Sequence, residues 1–281
     1  MLWTEYRTSW ALGCILIPVS AFAFCIAARG QDTKPDTNQD AKQLVQLAVK
    51  TELAANQNDH SHWLYFEVDR KPNNSVTQWV AQTAHGDVHR VLERNTQKFP
   101  ASEQQKKMDA FVKSSDEQAQ QRKSGQHDDQ QATELLKLLP DAFLWTDNGS
   151  RQGRTVLHFK PNPGFHAPDR EARVFAAMEG DMAVDDAQHR IVSLKGRLIR
   201  DVKFGGGLFA ELKAGGTFDV ERHEIGKQIW QITETHVHIQ GHALLFKSIS
   251  EQEDDEKSKF KPLPDTLSLQ QAETSLLKTG D

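Results

Sequence analysis

Val192-Ser193-Leu194-Lys195-Gly196-Arg197-Leu198-Ile199-Arg200-Asp201-Val202-Lys203-Phe204 is the stretch that decides the fold. Val192, Leu194, Leu198, Val202 and Phe204 alternate with Ser193, Lys195, Arg197, Asp201 and Lys203, and a period of two is the mark of a strand. One side is apolar and the other charged, so the strand belongs to an antiparallel sheet covered on one face.

The same period continues outward. Leu64, Phe66 and Val68 alternate with Trp63, Tyr65, Glu67 and Asp69 until Pro72-Asn73-Asn74 makes a turn. Ser75 to Ala84 and Val88 to Glu93 follow around His85-Gly86-Asp87. Three strands joined by short turns form an antiparallel meander, because parallel neighbours need a crossover of about a dozen residues. Further strands are expected at Phe143 to Thr146, Thr155 to Lys160, Met182 to Val184, Thr217 to His223, Lys227 to Gln240 and His242 to Ser250. They make about ten in all, the size at which a twisted open sheet must curl. The expected fold is α+β: a strongly curved antiparallel sheet, an unclosed half-barrel, with a few helices packed on its concave side.

Ala41, Leu44, Val45, Ala48, Val49 and Leu53 recur at helical spacing. Residues 101–131 are rich in Gln, Lys, Asp and Ser and read as a mobile helical insertion, anchored only by Met108, Phe111 and Val112. A short helix over Leu135 to Leu139 ends at Pro140, and another spans Asp169 to Met178. Glu251 to Lys259 reads as a solvated charge run, followed by a terminal segment over Leu267 to Leu277. Residues 31–281 form a single domain with no internal repeat.

Residues 1–30 differ from the rest. Ala11 to Ala28 are almost wholly apolar, and Ala28-Arg29-Gly30 places small residues where a signal peptidase reads. A periplasmic or secreted protein is the expectation, with an uncleaved inner-membrane anchor as the alternative. Cys14 and Cys25 both lie in this leader, so cleavage leaves a chain without thiols or disulfides. It also leaves 32 basic against 38 acidic residues with no basic block, which disfavours nucleic acid as a partner. After the leader no apolar run reaches membrane-spanning length.

Few residues suggest chemistry. His236 and His238 share one strand face roughly 7 Å apart, and His242 past Gly241 could complete a zinc site. A wet strand face is the simpler reading, since Val237 and Ile239 look like the packed side. His223-Glu224-Ile225-Gly226-Lys227 has a lysine where a zinc protease needs its second histidine. Gly205-Gly206-Gly207 and Gly215-Gly216 lack the Lys-Ser or Lys-Thr of a phosphate loop and read as turns. Carboxylates at Glu179, Asp181, Asp185 and Asp186 fall in turns, and no nucleophile elbow is present. The sequence calls for no cofactor and no catalytic residue.

Aromatic and aliphatic residues on strands give a different lead. Trp63, Tyr65, Trp79, Phe159, Leu198, Phe204, Phe218 and Trp230 would either fill an ordinary core or line a concave apolar cavity suited to acyl chains.

This layout resembles the lipoprotein-carrier superfamily of the bacterial envelope, the LolA/LolB type, over most of the chain beyond the leader. Trp79-Val80-Ala81-Gln82 and Arg173 to Phe204 carry the likeness, which is one of layout rather than of a diagnostic motif. The resemblance implies an unclosed barrel with a helical lid that holds a lipid or a lipidated protein without catalysis. The polar segment 101–131 departs from a compact carrier, and the absence of a lipobox at Cys25 departs from the anchored acceptor type. Two other classes are an envelope sensor or scaffold that binds a protein partner along a sheet edge, and a metal-dependent hydrolase.

Overall fold

The computed structural model describes residues 37–204, 210–243 and 247–280, all within one compact unit. The leader lies outside these residues. Five helices are described: α1 (Thr37–Asn58), α2 (Ala101–Lys113), α3 (Ser115–Ala142), α4 (Arg170–Phe175) and α5 (Leu269–Leu277). The strands begin with β1 (His62–Arg70), β2 (Val76–Ala81), β3 (Val88–Arg94) and β4 (Gln97–Lys98). After α3 come β5 (Phe143–Arg151), β6 (Arg154–Pro161), β7 (Met178–Asp185), β8 (Ile191–Leu198) and β9 (Val202–Phe204). The rest are β10 (Ala210–Leu212), β11 (Thr217–Gly226), β12 (Ile229–Ala243) and β13 (Lys247–Leu263).

All thirteen strands join one antiparallel sheet in the order β4-β3-β2-β1-β13-β12-β11-β8-β7-β6-β5, with β10 paired to β12 and β9 to β10. The β1–β4 meander meets the rest of the sheet at the pairing of β1 with β13. The sheet does not close, and β4 and β5 are its ends.

Four local expectations are corrected. Residues 192–204 are not one strand: the chain bends at Ile199–Asp201, where Ile199 N–H donates to Ala177 O (3.0 Å), and β9 pairs with β10 rather than β11. Pro140 does not end a short helix but sits in the last turn of the 28-residue α3, where its missing N–H removes a single i→i−4 bond. The helix expected over Asp169 to Met178 is shorter, capped by Asp169 on Ala172 N–H (2.7 Å), and Met178 already opens β7. Glu251 to Lys259 is not solvated coil; it lies within β13, at the centre of the sheet. Its charges are matched by strands remote in sequence, with Arg70 on Glu256 (2.6 Å), Lys71 on Glu253 (3.0 Å) and His236 on Asp254 (2.7 Å).

Register sorts the side chains by face. One row runs Met182, Leu194, Val220, Thr235, Asp255, Asp69, Val76 across seven strands. We call its side the inner face. There Ala41, Val45, Ala48 and Val49 of α1 and Leu139 and Ala142 of α3 pack on Phe143, Phe159, Met178, Met182 and Leu198 as the main core. The alternate row, Asp181, Lys195, Asp219, His236, Asp254, Arg70, is the charged outer face. At the β1–β3 end the outer face turns apolar, and α2 and α5 cover Leu64, Trp79, Ala81 and Val88 there. Helices therefore sit on both faces.

The sheet curls. Trp63 on β1 packs with Ile225 and Ile229 at the tip of the β11–β12 hairpin, and a Cβ on Gly226 would stand 3.1 Å from its ring. A flat sheet would hold β1 and β11 three spacings, about 14 Å, apart. Paired Gly180 and Gly196 permit close approach further along: a Cβ on Gly196 would meet the Phe218 ring at 2.5 Å, and one on Gly180 would meet Lys195 O at 1.9 Å.

A buried ion triad ties α1 to the sheet. The Glu52 carboxylate accepts Arg190 Nε and Nη2 (3.0 and 2.9 Å), Ile191 N–H (2.7 Å) and Arg222 Nη1 (2.6 Å).

Candidate functional site

The inner face changes character across the sheet. Phe218 and Val220 on β11, with Thr235, Val237 and Ile239 on β12, form a half-buried apolar patch continuous with the main core. The next strands are charged: Glu253, Asp255 and Lys257 on β13, then Glu67 and Asp69 on β1 and Gln78 on β2. Beyond these the face closes on Trp63, Tyr65, Val80 and Phe260. A polar strip between two apolar walls is an amphipathic trough.

The strip holds more carboxylates than cations. Lys257 lies 2.9 Å from Asp255 and 3.6 Å from Glu67, while Lys71 reaches Asp69 (3.2 Å) and Glu253 (3.0 Å). Burial opposes the Lys257 charge, but Asp255 and Glu67 together hold its pKa above the ordinary lysine value. Burial raises the carboxyl pKa of Glu67 and of Asp69, and it raises the Tyr65 phenol. At the end of the strip, burial pushes Asp87 up to about 6 and His89 down to about 4. Such perturbed groups on one face mark a candidate functional surface.

Helix α3 crosses on the same side. Near its start Gln121 bonds Asp87 N–H and C=O (2.7 and 3.0 Å) and approaches His89 Nε2 (3.4 Å), while Arg122 donates to His85 O (2.6 Å). Near its end Leu139 and Ala142 are buried in the main core. Residues 123–132 between these anchors are exposed on every side, a span of about 15 Å of unpacked helix. A helix polar all round is what bridges solvent between two supports. The polar segment expected as an insertion is thus this strut together with α2.

The eight strand residues expected to line a cavity fall into separate clusters. Phe159, Leu198, Phe204 and Phe218 share the main core, with Phe159 and Leu198 fully buried by packing. Trp63 and Tyr65 share the small inner cluster with Val80. Trp79 lies on the outer face under α2 and α5, its Nε1–H donating to Gly280 O (3.1 Å). Trp230 is buried separately, its Nε1–H donating to Gln188 Oε1 (3.1 Å). The polar strip itself was missed. The available signal was parity, since Glu67 and Asp69 share the face of Trp63 and Tyr65 and so could not all be solvated.

The histidines lie on the outer face. His236 Nδ1 and His238 Nε2 share Asp254 Oδ1 at 2.7 and 3.0 Å, and the hydrogen bond to Asp254 raises the His236 pKa. The His242 side chain lies outside the described residues. No group of three or more His, Cys, Asp or Glu able to hold a metal occurs among the described residues.

No helix among the described residues is long and apolar enough to cross a membrane. No family model, curated protein or solved structure matches the chain, so the reading of this trough rests on its own geometry.

Proposed function

We propose that the protein is a non-enzymatic binding or carrier module of the envelope that seats a lipid, or the lipidated end of a protein, in the inner trough beneath α3. The observations that carry this reading are the half-buried apolar patch of Phe218, Val220, Val237 and Ile239 on the inner face and the exposed span of α3 between its two anchors on that face. A covered core has no use for either feature. Apolar burial of about 25 cal/mol per Å² supplies the affinity, and the polar strip orients a polar end. Extraction of the purified protein followed by mass spectrometry should find bound lipid, and a fluorescent fatty acid should bind saturably. Val237→Glu, which places a charge on the patch, should abolish that binding. Lipid-free protein with no probe binding would remove this reading.

A second reading is a scaffold for a protein partner. It is favoured by β5, a nine-residue edge strand paired with β6 alone among the described strands and carrying Leu144 at 55 % exposure. Pull-down of a stable partner without lipid would favour it over the carrier.

A further inference from the structure

A cavity of about 440 Å³ lies outside the trough, between the β6–α4 connection, α4 and the β8–β9 turn. Phe165 and Ala176 form part of its wall, and Arg173, Arg200 and His166 reach it from three different segments. The Arg173 guanidinium also stands over the Phe204 ring, 5.7 Å from its centroid.

Neither arginine has a carboxylate partner among the described residues. Two acids close to them in sequence are engaged elsewhere: Asp169 caps α4 at Ala172 N–H (2.7 Å), and Asp201 accepts Ala214 N–H (2.9 Å) and pairs with Lys213 (3.3 Å). On the outer face the contrast is plain, since Arg70 pairs with Glu256, Arg197 with Glu179 and Lys195 with Asp219. His166 Nδ1 lies 3.1 Å from Gly164 O, a carbonyl that can only accept, so Nδ1 carries hydrogen and Nε2 is left for another partner.

We propose that this cavity binds a phosphoester, with Arg173 and Arg200 as paired guanidinium forks and Phe165 as the wall for the ester's organic part. Two forks match a phosphate dianion, whereas a carboxylate occupies only one. The cavity equals roughly fifteen waters' share of liquid volume, so it accepts a phosphate together with a glycerol-sized substituent. It uses none of the trough residues and stands apart from the carrier reading.

A soluble phosphomonoester and the headgroup of phosphatidic acid present the same chemistry, and two arms separate them. Isothermal titration with glycerol 3-phosphate reads the first; co-sedimentation with phosphatidic acid against phosphatidylcholine vesicles reads the second. Saturable binding in either arm is expected. It should weaken about tenfold in Arg173→Gln and in Arg200→Gln, and further in the double variant, with an unchanged melting temperature. Binding confined to the phosphatidic acid arm identifies the headgroup as the source. No binding in either arm, or a double variant that binds as tightly as the wild type, overturns the proposal.

Discussion

Asp69 and Asp255 stand directly opposite each other on β1 and β13, and the Oδ1 atom of each is buried with no hydrogen-bond partner among the described residues. Like charges facing across a strand pair are destabilising. Lys71 and Lys257 each take only the other oxygen, Oδ2. Because the Asp69 pKa is raised, the folded chain holds that proton more tightly than the unfolded one, and stability falls as pH rises through the folded value. Asp69→Asn should be more stable than the wild type at pH 7 by about 1 kcal/mol and should lack this decline. Urea denaturation at several pH values between 4 and 7 tests it; a less stable variant would show that the carboxylate is needed for folding.

Asp87 and His89 oppose each other over one pH window. Asp87, raised to about 6, stabilises the folded state at low pH, and that gain disappears as pH climbs past 6. His89, lowered to about 4, contributes stability above the ordinary histidine pKa that is lost as pH falls towards 4. Asp87→Asn should therefore leave a chain that weakens on acidification. His89→Gln should leave one that strengthens. Each change should be on the order of 1–3 kcal/mol, and parallel profiles in the two variants would contradict the assignment.

Glu52→Gln should destabilise by about 3–5 kcal/mol, because it leaves Arg190 and Arg222 buried without their counter-charge. Burial pushes the Glu52 pKa up, but the two arginines outweigh it and hold it low. The triad's contribution is therefore present above the unfolded carboxyl pKa and is lost as pH falls through the lower folded value. Comparison of thermal unfolding for variant and wild type at pH 7 and pH 3 should show the gap narrowing in acid.

Gly125 lies in the unpacked span of α3, and a Cβ there would meet nothing within 4 Å. Gly125→Ala should stabilise the helix by about 0.5–1 kcal/mol through backbone entropy. Hydrogen exchange of residues 123–132 should slow. Unchanged exchange would mean that the strut's opening is not set by its own helical propensity.

Legibility followed the range of the interactions. The α1 stripe, the antiparallel meanders and the two faces of β8 are written in local periodicity and stand as expected. β13 was legible only at its start, within His242 to Ser250; Glu251 to Lys259 has poor strand propensity, and what makes it a strand is pairing with β1 and β12. Glu52 escaped notice for the same reason. It sits next to the apolar stripe of α1 as one more polar helical residue, and its arginines lie more than a hundred positions away. The split of the aromatics into separate clusters follows from curl and from bulges such as that between Leu64 and Phe66, which alternation alone does not encode.

The position of β13 bears on how the chain reaches this shape. His62 pairs with Leu263, so the β1–β3 meander gains its connection to the other strands only once nearly the whole polypeptide has emerged. Joining partners so distant carries a large loop-closure entropy, and topologies of this kind assemble slowly. Until then β1 presents an open edge able to pair with another molecule, and a chain cut before Lys247 would retain that hazard permanently.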